Sequence, residues 1–162
     1  MNHQSEILNQ LVLSDSLVND YLHILLKPSI GKYWLQKIAN LLLQITGCDA
    51  LFLCTYIDNA VFLASKNSNL SGETFFKNIS RINEENTFEK PYYLDNYYIV
   101  PLSQEGCLQI LWNKNPKEVE LEKYLNLFSF LLSALNIRSD LISKTRNLLH
   151  IESLSRIEKI IS

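Results

Sequence analysis

Apolar residues in the first third of the chain recur at the spacing of amphipathic helices. The pattern predicts a helix over residues 5–26, with a possible break at residues 14–16. Pro28 ends this helix, because the residue before a proline is pushed out of helical geometry. A second helix is predicted over residues 30–46, and Gly47 follows it at the position where a left-handed cap residue is expected.

The middle of the chain alternates between short apolar runs and turn residues, which is the pattern of antiparallel strands. The run over residues 50–56 is apolar on both faces, so it is predicted to be a central strand. Pro91 places the strand that it begins near an edge of the sheet. The predicted elements of this region are strands over residues 50–56, 60–65 and 91–94, a short helix over residues 72–82, and a hairpin over residues 97–113 that turns near Gly106.

The last third of the chain has a helical pattern that reaches the final residue. Asn115 and Pro116 are predicted as its N-cap and first helical residue. The apolar stripe is wide as far as Leu135, which suits packing on a sheet, and it then narrows to a seam with polar flanks. An unbroken helix of this length would measure roughly 70 Å. Its end must therefore project or fold back, and residues 139–140 and 144–147 are the predicted weak points.

Composition and charge exclude several classes of partner. The 162 residues are enough for one domain with a proper core, and the net charge of −2 provides no broad basic surface for nucleic acid or anionic lipid. No apolar run approaches the roughly 20 residues of a membrane span, and the first residues lack the layout of a signal peptide. The three cysteines are an odd number, which indicates reduced thiols. We therefore expect a cytoplasmic protein with neither a membrane nor a nucleic-acid partner.

Two segments of the sequence resemble a GAF domain, the small sensor module of many signalling proteins. Residues 38–53 look like the helix, small-residue turn and first strand of that family. The second match is Ile99-Val100-Pro101-Leu102, at the place of the family's Val-Pro-Leu strand, followed by the turn at Gly106 and a long exit helix. The resemblance extends from Trp34 to Arg138.

The resemblance implies an α/β (α+β) fold, in which an antiparallel sheet of five or six strands carries the N- and C-terminal helices on one face. A ligand cleft would lie on the other face, under residues 66–95. The implied division is an N-terminal helical segment (1–29), a GAF-like domain (30–138), and a C-terminal signalling and dimerisation helix (139–162). In such proteins the terminal helices pair as a coiled coil between two subunits. They relay a signal to an output domain, such as a histidine kinase of a two-component system or a transcription regulator.

Several departures from the family argue against its known chemistries. The Asn-Lys-Phe-Asp-Glu set of cyclic-nucleotide-binding members is absent, as is the Cys-His pair of bilin-binding members. Residues 66–98 contain no cysteine, whereas members that reduce methionine sulfoxide use cysteines there. No nucleophile motif, phosphate-binding glycine loop or catalytic carboxylate pair is evident. We therefore expect a sensory or regulatory module that is not an enzyme, with its cofactor, if any, unidentified by the sequence.

The cysteines are the first candidate binding residues. Cys48, Cys54 and Cys107 fall in or beside predicted strands, and three thiolates could hold an iron–sulfur cluster or serve a redox sensor or reductase. Their spacing contains no Cys-x-x-Cys motif, however, and buried free cysteines commonly pack as small apolar residues. No metal site is predicted.

Aromatic residues around the predicted cleft are the second candidate set, because aromatic rims with polar tips suit small-molecule recognition. The same residues are common in strands, so they could instead fill the cleft of an interaction module that takes no ligand. The candidate cleft residues are Phe75, Phe88, Tyr92 and Tyr97. Arg138, Lys144, Arg146 and His150 on the last helix are interpreted as a solvated face, because acidic residues interleave with them.

Overall fold

The computed structural model describes residues 15–67, 70, 72–84 and 90–161. Within these ranges the fold is mixed α+β, with one antiparallel sheet and a long C-terminal helix, as the sequence predicts. The elements in chain order are α1 (residues 15–25), α2 (Lys32–Thr46), β1 (Ala50–Thr55), β2 (Ala60–Ser65), α3 (Glu73–Glu84), β3 (Tyr92–Leu94), β4 (Tyr97–Pro101), β5 (Gly106–Leu111) and α4 (Glu118–Ile161).

The sheet has five strands in the order β2-β1-β5-β4-β3. Strand β1 lies inside the sheet and every one of its residues is buried, which confirms its predicted central place. Strand β3 follows Pro91 and lies at an edge, also as predicted. The hairpin of β4 and β5 requires a glycine at residue 106, because a Cβ atom there would lie 1.9 Å from the carbonyl oxygen of Cys54.

Helix ends follow the predicted signals only in part. Gly47 has the left-handed conformation of a C-cap (φ 63°), and its N–H donates to the carbonyl of Leu43 at 3.1 Å. The predicted start of the last helix at Asn115 and Pro116 is wrong. The first helical hydrogen bond instead joins the N–H of Leu121 to the carbonyl of Lys117 at 2.9 Å, so α4 begins at Glu118. The acidic side chains of its first turn favour that start, since they lie at the positive end of the helix dipole.

Helices α1, α2 and α4 cover one face of the sheet, as expected for the terminal helices. The polar atoms of their large aromatic residues find backbone partners: Tyr21 donates to the carbonyl of Leu127 at 2.8 Å, and the indole of Trp34 donates to that of Ile24 at 3.1 Å. This layer holds the larger core, whose strand residues are Leu51, Leu53, Phe62, Ala64, Tyr98, Val100, Leu108 and Ile110. The predicted break at residues 14–16 is not seen at residues 15 and 16, which are helical, and residues 1–14 lie outside the described ranges.

Helix α3 covers the opposite face of the sheet and encloses a smaller core. Its buried members are Ala50, Phe52, Cys54, Phe75 and Cys107. The sheet is therefore buried on both sides over most of its area, which explains why β1 is apolar on both faces.

Helix α4 continues unbroken for 44 residues, about 66 Å. Neither predicted weak point, at residues 139–140 or 144–147, interrupts it, and the helix projects rather than folding back. Its last buried residue is Arg138, so the part beyond leaves the body of the domain. By length and composition α4 alone among the helices of the described residues could cross a membrane. Core helices of soluble proteins pass the same test, so this is weak evidence for a span.

Candidate functional site

The sheet face under α3 brings together most of the candidate residues. Side chains alternate between the two faces of a strand, and the register aligns Cys54 with Cys107 and Tyr92 with Ile99. Phe75 of α3 packs onto the same face. This α3-covered face is the candidate site, and the predicted residues that it gathers are Cys54, Cys107, Phe75, Tyr92 and Tyr97.

Cys54 and Cys107 stand directly opposite each other on β1 and β5, and both are buried. The hydrogen bond between the two thiols, together with burial, raises the pKa of Cys107, and the same bond lowers the pKa of Cys54. The hydroxyl of Tyr56 contacts Cys107, and burial beside the two thiols raises the pKa of Tyr56 to about 12. Of the two thiols, Cys54 therefore has the lower pKa and loses its proton more readily.

Cys48 lies elsewhere and does not join the pair. It precedes β1 and packs in the larger core beneath the terminal helices, on the other side of the sheet. Its backbone N–H donates to the hydroxyl of Thr46 at 3.4 Å, and burial raises the pKa of its thiol. The three thiols thus do not converge. Among the described residues no group of three or more His, Cys, Asp or Glu side chains is placed to hold a metal ion.

Phe75 fills the centre of the α3-covered face. Its ring stacks on Phe52 at a centroid distance of 5.0 Å and meets the edge of Tyr97 at 5.2 Å. Only 1% of Phe75 is exposed, so its side chain occupies the space where a ligand cleft was expected. Tyr92 is half-buried at the edge of the same face. Phe88, the fourth predicted cleft residue, lies outside the described residues.

A buried amide pair fastens α3 to the sheet. The amide of Asn78 donates to the side-chain carbonyl of Gln109 at 3.0 Å, and the amide of Gln109 donates to the backbone carbonyl of Phe75 at 3.0 Å. Both side chains are buried. Sequence reasoning missed them, although a single glutamine inside the apolar run of β5 was a usable signal.

A second polar cluster lies where α4 leaves the sheet, and we call it the α4 root. The guanidinium of Arg138 binds both carboxylate oxygens of Asp58, at 2.6 and 2.8 Å. It also donates to the backbone carbonyls of Ser29 and Ile30, at 2.7 and 3.0 Å. The side chains of Arg138 and Asp58 are 1% and 7% exposed, so this ion pair is shielded from water.

Asp58 is held ionised by its partners. Burial by itself raises the pKa of this carboxyl group, but the hydrogen bonds from Arg138 and Thr55 outweigh burial and bring the pKa below its usual value. The hydroxyl of Thr55 donates to Asp58 at 2.8 Å. Next along α4, the hydroxyl of Ser139 donates to the carboxylate of Glu105 in the β4–β5 turn.

The interpretation of Arg138 as part of a solvated face is therefore wrong. Arg138 continues the inward stripe of α4, three residues after Leu135, and its charge is buried because Asp58 and two carbonyls receive it. Its spacing on the apolar stripe was the signal in the sequence. By contrast, Lys144, Arg146 and His150 are exposed, as predicted.

A groove lies between α1 and α4 on the outer side of the terminal helices. Its volume is about 430 Å³. Apolar side chains from both helices line most of it, and the phenyl ring of Phe130 is half exposed beside it. Its apolar lining residues are Val18, Leu22, Ile45, Tyr124, Leu127 and Phe130.

Comparison with known proteins does not identify the chain. No protein-family model matches the sequence. No curated protein matches it either. Function must therefore be argued from the α3-covered face, the α4 root and the projecting helix.

Proposed function

We propose that this chain is a non-catalytic, GAF-like sensory or regulatory module that dimerises through its terminal helices. A change in the domain would pass along α4 to an output domain, such as a histidine kinase or a transcription regulator. One observation carries the proposal. Helix α4 is a single rigid element whose first half packs on the sheet and whose second half presents an exposed apolar seam.

The seam follows the heptad spacing of a coiled coil. Its positions alternate in steps of four and three residues, which is the a/d pattern of two helices that wrap around each other. The residues at these positions are Ile137, Leu141, Lys144, Leu148 and Ile151. The four apolar ones are between 39 and 63% exposed, so these side chains are largely uncovered within one chain.

A second copy of this chain is the occupant that the seam fits best. A projecting helix of this length is marginally stable alone, because most helical stability in proteins comes from packing of an apolar face. A parallel dimer would align each seam residue with its twin. In that arrangement the flanking residues Asp140 and Asn147 would face Thr145 and Glu152 of the other copy, and neither pairing joins like charges.

The α4 root supports a relay function. Arg138 of the root ties the start of the projecting segment to the β1–β2 turn and to the α1–α2 connection, and the adjacent Ser139 ties it to the β4–β5 turn. A shift of any of these three segments would change the direction in which α4 leaves the domain. Helices that shift between two discrete arrangements are one kind of element by which proteins transmit such movements.

The test replaces one leucine of the seam and one beside it. Leu148→Lys introduces a charge at a seam position, and Leu149→Lys introduces the same charge at the next residue, which is similarly exposed but lies off the seam. Sedimentation velocity of the full chain should find a dimer for the wild type and for Leu149→Lys, and dissociation for Leu148→Lys. A monomeric wild type, or equal effects of the two variants, would refute dimerisation through the seam.

A second candidate is an interaction module that takes no small-molecule ligand. Phe75 favours it, because this side chain fills the α3-covered face and the pair of Asn78 and Gln109 fastens the helix above it. A compound that bound the folded form would raise its melting temperature, since binding to the native state alone stabilises it. If any compound in a metabolite screen raises the melting temperature of the wild type, this candidate is contradicted and a ligand-responsive sensor is favoured.

A further inference from the structure

Cys54 and Cys107 are neighbouring thiols on adjacent strands of the sheet. The two residues are direct partners in the register of β1 and β5, and their side chains share the α3-covered face. Two residues further along, the N–H of Tyr56 donates to the carbonyl of Glu105 at 2.9 Å. Hydrogen-bonded pairs alternate along an antiparallel ladder, so the cysteines also occupy a hydrogen-bonded pair.

The Cα atoms of such a pair lie about 5.5 Å apart. Natural disulfides span about 4.4–6.8 Å between Cα atoms, with the commonest values near 5.5–6 Å. Each thiol shifts the pKa of the other, as expected for neighbouring groups. The Cβ atoms of a hydrogen-bonded pair, however, lie about 5 Å apart or slightly more, whereas a disulfide holds them about 3.5–4.5 Å apart. The two strands must therefore move about 1 Å closer locally before the sulfur atoms can join, and the strain of such a bond makes it more easily reduced.

The surroundings of the pair differ for the two thiols. Cys54 is the more exposed of them, at 8% against 2% for Cys107, and it is the one that ionises more readily. Tyr56 lies beside the pair and is 45% exposed, so this end of the face adjoins solvent. A small oxidant would meet Cys54 first, and Cys107 is placed to react with the product.

We propose that Cys54 and Cys107 are a redox modification site that hydrogen peroxide converts to an intramolecular disulfide. The thiolate of Cys54 attacks one peroxide oxygen, the O–O bond breaks, and the products are a sulfenic acid and, with the thiol's proton, one water. The sulfur of Cys107 then attacks the sulfur of Cys54. The S–O bond breaks and a second water leaves with the proton of Cys107. Two thiols and one peroxide thus give one disulfide and two waters, and the two sulfurs lose two electrons in total.

The proposal is independent of the dimer seam, and its test uses the full chain. Purified reduced protein is treated with hydrogen peroxide, denatured in an alkylating reagent and mapped by mass spectrometry. We expect a peptide pair joined through Cys54 and Cys107 that has lost two hydrogen atoms and returns to free thiols with dithiothreitol. Cys48 should remain alkylated, because it lies in the other core. Unmodified Cys54 and Cys107 after peroxide treatment, or a bond to Cys48, would overturn the proposal.

Two variants assign the roles of the thiols. Cys107→Ser should stop at the sulfenic acid, which dimedone traps on Cys54, and Cys48→Ser should form the disulfide as the wild type does. The assigned order of attack would be contradicted by the opposite labelling. In that case dimedone would label Cys107 in a Cys54→Ser variant and would not label Cys54 in Cys107→Ser. The mapping of wild-type protein needs no variant, so a folding defect in a serine variant cannot mask the result.

Discussion

Single residues in this protein are constrained most strongly where charge is buried. Arg138 and Asp58 are 80 residues apart in the sequence and form a bidentate ion pair that is almost fully buried. Removing one member of a buried pair leaves the other charged and unpaired in a medium that solvates it poorly. The α4 root should therefore be the most sensitive polar cluster in the described part of the chain.

Asp58→Asn tests that expectation and its pH dependence. At pH 7 the free energy of unfolding should fall by about 3 kcal/mol, because Arg138 loses its counter-charge. The pKa of Asp58 is lower in the folded protein than in the unfolded chain. Its contribution to stability is therefore present above the unfolded-state pKa of about 3.9 and is lost as the pH falls through the folded-state pKa. Urea unfolding between pH 7 and pH 3 should thus find the two proteins converging at low pH.

Asp95→Asn is the matched control for this change. Asp95 also lies in a turn between two strands and binds an arginine, Arg81, at 2.8 Å, but the two side chains are 68% and 48% exposed. Exposed ion pairs contribute about 0–1 kcal/mol. A loss of stability in Asp95→Asn as large as that in Asp58→Asn would mean that burial is not the source of the effect.

Among the secondary-structure elements, α3 is held to the sheet by a small set of buried contacts. It is a 12-residue helix whose buried contacts with the sheet are the ring of Phe75, one amide pair and a few aliphatic side chains, while Phe76 and Arg81 add exposed contacts. The buried ring and the buried amides act together, because the glutamine that binds Asn78 also binds the carbonyl of Phe75. The covering of this face depends on that short list of contacts.

Phe75→Ala should therefore loosen α3 more than any exposed substitution on it. We expect the free energy of unfolding to fall by about 3–5 kcal/mol, the usual range for deleting a buried phenylalanine side chain. Amide hydrogen exchange should accelerate in residues 73–84. Chemical denaturation and exchange mass spectrometry measure the two effects.

Phe76→Ala provides the comparison within the same turn of helix. Phe76 touches Phe52 edge-on at 5.4 Å but is 52% exposed. Its removal should cost about 1 kcal/mol, because only about half of this side chain is shielded from water. Equal losses in the two variants would contradict the role given to Phe75 as the anchor of α3.

The molecule as a whole combines a domain with a well-buried core and a helix that projects from it. The body buries both faces of its sheet, whereas α4 beyond Arg138 exposes a row of large apolar side chains. Exposure of such a row to water is unfavourable in free energy, and the proposed dimer would bury the row. Lys144 interrupts the row, and a charged residue at a seam position lowers the stability of a coiled coil.

Lys144→Leu should strengthen the proposed dimer. Replacing a charged seam residue by leucine completes the apolar row, and we expect the dissociation constant to fall by at least about tenfold, equivalent to about 1.4 kcal/mol. Sedimentation equilibrium on dilution series measures this constant. Arg146→Leu is the control, because that exposed position lies on the side of the helix away from the seam. Equal tightening by both variants would indicate nonspecific association.

Much of the fold was predictable because it depends on local patterns. The alternating runs around Gly106, the cap at Gly47 and the edge strand after Pro91 each follow from backbone chemistry that neighbouring residues determine. The candidate site was predictable only in part. Cys54, Phe75 and Tyr97 do share one face, but Cys48 does not join them, because its position before β1 turns it towards the other core.

The sequence by itself determined the type and order of the elements, since hydrophobic period and turn residues act over short stretches of chain. Only the tertiary structure decided which distant residues meet: Arg138 with Asp58, Asn78 with Gln109, and Cys54 with Cys107. The physical reason is that burial converts a polar or charged side chain from a surface group into one that must find a partner. Which partner it finds depends on packing between elements that are remote in the sequence.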